Sequence, residues 1–110
     1  MAEVYKILGQ SAPSATTATD VYTVGGSTEA IVSSVTVCER AGATATFRIA
    51  FLIGGGAVAT TDYICFDHAI AANETIVLTL GVGMATTDQV EVYASTADLT
   101  FNVFGMEITP

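Results

Sequence analysis

The stretch ATATFRIAFLI, residues 43–53, decides the fold. Apolar side chains recur at every second position, Ala45, Phe47, Ile49, Phe51 and Ile53, with Thr44, Thr46 and Arg48 between them. Successive side chains of a strand point to opposite faces, so this alternation predicts a half-buried β-strand. QVEVYAS (89–95) repeats it, with Val90, Val92 and Ala94 inward and Glu91 and Tyr93 outward. ETIVLTL (74–80) places Ile76, Leu78 and Leu80 on one side and Thr75, Val77 and Thr79 on the other. LTFNVFGMEI (99–108) starts with Leu99, Phe101 and Val103 inward and then shifts phase to Phe104, Met106 and Ile108. One extra residue produces such a shift, which predicts a β-bulge near Gly105.

EVYKIL, DVYTV, AIVSSVTVC and DYICF bring the strands to about eight. Turn-forming phrases separate them: GGSTE, ERAGA, GGGAVATTD, AANE, GMATTD and STAD. No segment of useful length carries a helical period. The expectation is an all-β chain, a single antiparallel β-sandwich or jelly roll occupying residues 1–110. QSAPSATTAT, the low-complexity piece at 10–19, reads as a polar loop or an arm that orders on a neighbouring subunit. ATTD occurs at 59–62 and 85–88, each directly before a strand, and ATD stands at 18–20. Asp and Thr there are read as turn closers, accepting hydrogen bonds from N–H groups two residues on. Their spacing matches no calcium loop.

Composition narrows the function classes. Hydrophobic residues make up 51% of the chain and charged residues 13%, with a mean hydropathy of +0.57. So few charges on a domain of 110 residues leave apolar surface beyond what one core absorbs, and such surface marks contact with other protein. The net charge is −8, and the three cations, Lys6, Arg40 and Arg48, are scattered. That excludes nucleic acid, whose phosphates need several clustered cations, and an anionic membrane surface. MAEVYKILGQ does not read as a signal peptide, and the longest apolar run, IAFLIGGGAVA, is too short to span a bilayer. Cytosolic synthesis follows, with Cys38 and Cys65 reduced and buried.

The residues with chemical potential do not assemble a site on paper. Cys65, Asp67 and His68 stand close in sequence. In a regular strand, however, positions 65 and 68 face opposite ways, and an apolar setting keeps a thiol protonated. Two cysteines and one histidine without CxxC spacing make a weak zinc case. Gly54, Gly55 and Gly56 lack the lysine and hydroxyl of a P-loop and read as a mobile hairpin tip. Acid pairs such as Asp62 with Asp67, or Glu74 with Asp88, read as solvated loop acids. No catalytic residue, metal ligand or cofactor is assigned, and an enzyme is the least favoured class. Arg48, mid-strand, is expected to pair with a carboxylate such as Glu91 or Glu107, or to cross a subunit boundary. Val58, Val77 and Tyr93 point outward and join Arg48 as interface candidates.

VSSVTVCER, TFRIAF, IAANETI, VYAST and FNVFG together give most of the chain a texture that resembles small virion structural proteins of tailed bacteriophages, including those of cyanobacteria. The resemblance implies a β-sandwich made in the host cytoplasm and carried in the virion. It further implies a capsid decoration or cement protein that binds the major capsid protein, commonly as a homotrimer. The alternative it implies is a tail, baseplate or fibre component. A carbohydrate-binding sandwich is weaker, since the chain has no tryptophan.

Overall fold

The structure, a computed structural model, describes residues 1–110. It contains eight strands: β1 (Ala2–Ser11), β2 (Thr19–Thr23), β3 (Glu29–Glu39), β4 (Ala45–Leu52), β5 (Tyr63–Ile70), β6 (Thr75–Met84), β7 (Gln89–Ala94) and β8 (Leu99–Thr109). The one helical piece is a single 3-10 turn, Thr60–Asp62. Two four-stranded sheets form, one in the order β1-β8-β3-β6 and the other β2-β7-β4-β5, with every pair antiparallel. Only β4 and β5 are neighbours both in sequence and in a sheet; every other connection crosses between the two sheets. Eight strands wound in this order are a jelly roll, in which both inner faces are made of alternate residues.

The expected alternation fills that interior. Phe47 and Ile49 of β4, Val90, Val92 and Ala94 of β7, and Leu99, Phe101 and Val103 of β8 are all buried. Phe47 meets Phe101 from the opposite sheet edge-to-face, with centroids 6.1 Å apart. On β6 the phase is as expected, but Ile76, Leu78 and Leu80 are only half-buried because β6 is an edge strand. Toward the end of β4 the expectation fails: Ile53 is 89% exposed. Ala50 and Leu52, on the opposite side of the strand from Ile49 and Phe51, are buried as well.

The change of face expected in β8 does not occur. Burial alternates without a break from Leu99 to Gly105, so β8 carries no bulge. The extra residues lie on both flanking strands: Leu8 in β1, where the register slips between Val103 and Phe104, and Ser33 in β3, where it slips between Phe104 and Gly105. Gly105 lies so close to the Ile31 carbonyl that any Cβ would collide with it. Glycine is therefore required there, though not as a bulge residue. Phe104, Met106 and Ile108 consequently stay on the outer face.

The connections are tied down more firmly than their composition implied. Residues 10–19 are not a free arm: Gln10 and Ser11 belong to β1, and Thr19 opens β2. Between them the Thr16 N–H donates to the Ala94 carbonyl at 2.8 Å, and Pro13 is buried. The ATTD phrases do close turns, but toward the preceding residues. The Ala59 N–H donates to Asp62 at 2.8 Å while the Asp62 N–H returns to the Ala59 carbonyl at 3.0 Å. Ala85 and Asp88 do the same at 2.9 and 3.1 Å, and Ala71 with Glu74 at 2.8 and 3.1 Å. ATD at 18–20 forms no such turn. The triple glycine has φ between 74° and 85°, and its first N–H donates to Asp88 at 2.8 Å, which anchors the loop to the β6–β7 turn.

Candidate functional site

The two outer faces of the sandwich differ in chemistry. On the β1-β8-β3-β6 sheet the register sets five outer rows: Thr75, Cys38 and Thr100; Val77, Thr36, Asn102 and Gln10; Thr79, Ser34, Phe104 and Ile7; Gly83, Ile31, Met106 and Tyr5; Glu29, Ile108 and Glu3. The first four rows contain no charge. Tyr5 is 81% exposed, Val77 61% and Ile7 52%. Tyr5 and Ile7, with Ile31, Phe104, Met106 and Ile108 beside them, form a continuous apolar surface at one end of the sheet, while Val77 stands apart on β6 next to Thr36 and Thr79. Gln10 donates to Asn102 at 2.7 Å, closing the polar pair that borders this surface.

The outer face of the β2-β7-β4-β5 sheet is charged and aromatic. Arg48 lies between the rings of Phe66 and Tyr93, its guanidinium carbon 4.2 and 4.3 Å from their centroids. Its Nε donates to Asp67 Oδ1 at 2.7 Å. Tyr63 packs edge-to-face on Phe66 at 4.9 Å. Arg48 thus forms an intrachain ion pair as expected, but with Asp67; neither Glu91 nor Glu107 is the partner. The reason is local. Opposite Arg48, β5 inserts Phe66 and Asp67 between the partners of Phe47 and Ile49, and Asp67 adopts φ 49°. That bulge turns both side chains toward Arg48. In the adjoining row Asp20 pairs directly with Glu91. Burial first, and then Asp20, push the Glu91 carboxyl above its ordinary range.

The four interface candidates divide between these faces. Val77 belongs to the apolar face, while Arg48 and Tyr93 are committed to the aromatic stack on the other. Val58 is half-buried in the β4–β5 loop. The Phe66–Asp67 bulge also revises the geometry of Cys65 and His68: with one extra residue in β5, both take positions on the inner side, paired with Ile49 and Phe47, His68 remaining exposed at the sheet edge. They still do not form a nucleophile and base. The His68 ring packs on Phe47 at 5.2 Å with its Nδ1 2.9 Å from the Ala69 carbonyl, and burial pushes the Cys65 thiol up. Cys38, expected in the core, sits half-buried on the outer face; both cysteines are free. The acids considered for proton transfer are each engaged separately, Asp67 by Arg48 and Asp62, Glu74 and Asp88 by their own turns.

Two polar anchors escaped sequence reading. Buried Glu39, at the end of β3, accepts from the N–H groups of Ala41, Gly42, Ala43 and Asn73 at 2.7–3.2 Å. Those bonds, Asn73 first, hold its carboxyl below the usual range and join the β3–β4 turn to the β5–β6 turn. Between the sheets, the Tyr22 hydroxyl donates to Glu107 at 2.6 Å and Lys6 donates to the same carboxylate at 3.0 Å. Both hydrogen bonds hold the Glu107 carboxyl low. An acid followed by a glycine-containing turn, ERAGA, was the available signal for Glu39; nothing local marked Tyr22 and Glu107, which are 85 residues apart. Compared with protein-family models, with curated proteins and with solved structures, the chain finds no match in any of the three.

Proposed function

We propose that this chain is a non-enzymatic structural protein of a phage virion, a capsid cement or decoration protein that docks on the outer surface of the shell. Its partners are the major capsid protein and its own copies, in a homotrimer. The observation that carries this reading is the charge-free apolar surface on the β1-β8-β3-β6 sheet, presented on a framework closed by anchored turns. A face of this kind is costly to leave in water and gains by covering another protein surface. The phrases VSSVTVCER, TFRIAF, IAANETI, VYAST and FNVFG support the assignment to a virion. The fold itself is neutral, because jelly rolls serve many functions. Binding that is confined to the assembled shell stabilises it by mass action.

The deciding experiment locates the protein in intact particles and compares shells with and without it. Hundreds of surface copies, and shells that break at lower temperature or force without them, are the expected result. A few copies confined to the tail would transfer the protein to the attachment apparatus. Absence from particles would end both readings.

A further inference from the structure

We infer that the outer face of the β1-β8-β3-β6 sheet is where copies of this chain meet, packed about a symmetry axis. The inference rests on the reading of the protein as a closed oligomer and names the surface that closes it. Side chains close to a symmetry axis face their own copies, so a charge placed there is multiplied. The chain has eleven acids, and copies bearing a net charge of −8 repel one another. Only two of those acids, Glu3 and Glu29, lie on this face, both in its terminal row beside Ile108. The opposite face carries Asp20, Glu91 and Asp67, with the only cation there spent on Asp67. This is thus the face on which like copies approach without opposing acids.

Its size and shape fit. Four strands about 4.8 Å apart, each about ten residues at roughly 3.3 Å, give a projected face of roughly 600 Å². Side-chain relief raises the accessible area toward the ~800 Å² per partner of a standard interface. Gly83 lies level with Ile31, Met106 and Tyr5, and a Cβ added there meets nothing within 4 Å. The isolated fold therefore places no demand for glycine at this position. A bare backbone beside an apolar row is what close approach of another chain requires. Closure around an axis, in place of open stacking, also keeps such a face from building fibres.

Gly83 supplies a variant that spares the fold. Gly83→Lys and Tyr5→Lys should keep the wild-type circular dichroism spectrum, and light scattering should give the mass of one chain where the wild type gives three. Thr23→Lys, exposed on the other sheet, should retain the wild-type mass. If Gly83→Lys fails to fold, Tyr5→Lys decides alone. A wild type that is monomeric at high concentration overturns the inference, as do Lys variants that keep the wild-type mass. A monomer that binds shells through this face, with binding lost in the Lys variants, also overturns it and gives the face to the capsid. A wild type of two chains that the Lys variants split keeps the face and removes the trimer. Absence of the protein from particles would overturn the cement reading while leaving the mass test intact.

Discussion

The two outer faces are built on the same scaffold, by strands of the same period, yet one carries charge only in its terminal row and the other carries it at its centre. On the second face the cation is satisfied within the chain: Arg48 is stacked by Phe66 and Tyr93 and neutralised by Asp67, while Asp20 and Glu91 face each other as like charges. On the first face Tyr5, Ile7 and Val77 have no such partners and stand exposed. A surface that satisfies itself needs nothing from outside, whereas an apolar one lowers its free energy by being covered. Exposed apolar side chains occur around both sheets, Ile53, Ile64 and Phe66 among them; what sets the first face apart is that Tyr5, Ile7 and Ile31 stand there in rows without a charge.

The comparison can be sharpened on a single strand. Phe101 and Phe104 are three residues apart on β8, the first fully buried and the second half-buried on the outer face. Phe101→Ala removes a ring that packs on Phe47 and should cost about 3–5 kcal/mol. Phe104→Ala should cost only about 1–2 kcal/mol in the single chain, as expected for partial burial. Denaturant unfolding of monomeric variants checks the pair. Equal costs would mean that the outer face is packed as part of the core, and the contrast between the faces would collapse.

The period of two made Phe101 legible as core, and with it the two-layer architecture. Periodicity could not say that β8 runs on unbroken while its neighbours carry the extra residues, because an outward row of apolar side chains reads like a change of face. That ambiguity sent Phe104, Met106 and Ile108 inward on paper and concealed the apolar face. The partner of Arg48 was hidden for a related reason. Asp67 reaches it only through the bulge in β5, whereas the acids facing outward on regular strands, such as Glu91, were the ones a regular ladder offered. Glu39 stands before a glycine-containing turn, a signal that passed unread, and its fourth donor, Asn73, comes from a connection 34 residues on. Local pattern fixed the elements, and long-range register fixed the sites.

A second way to probe the contrast is pH, since acids in the two settings are linked to stability with opposite sign. Glu39 has its folded pKa lowered, so its contribution is fully present above the unfolded carboxyl pKa of about 4.3 and is lost as pH falls through the folded value. Glu91, on the charged face, has its folded pKa raised. The folded state is therefore favoured by protonation of Glu91, and the penalty for ionising it grows as pH rises from about 4.3 through the folded value. Glu39→Gln should lower Tm by about 5–10 °C at pH 7, with a smaller deficit toward pH 3. Glu91→Gln should raise Tm by a few degrees at pH 7 and do nothing near pH 3. Thermal melts at both pH values test each sign. A Glu91→Gln variant that loses stability at neutral pH would show that the charged face depends on that carboxylate.

The smallest expected difference is between the two cysteines. Cys65 faces inward and packs against the core, and burial holds its thiol in the neutral form. Cys38 faces outward between Thr75 and Thr100, in a row that already carries hydroxyls. Replacing Cys65 by serine sets a polar group where an apolar one packed and should cost about 1–2 kcal/mol. Replacing Cys38 by serine continues a hydroxyl row and should change stability by less than about 0.5 kcal/mol. Chemical denaturation under reducing conditions measures both. Because Cys38 lies on the face assigned to association, its reaction with a bulky maleimide carries a second readout. The label should attach readily to a monomeric Lys variant and slowly to the wild-type oligomer. Equal labelling rates, with oligomer confirmed in the same sample, would place this row outside the contact and confine association to the apolar rows around Tyr5 and Met106.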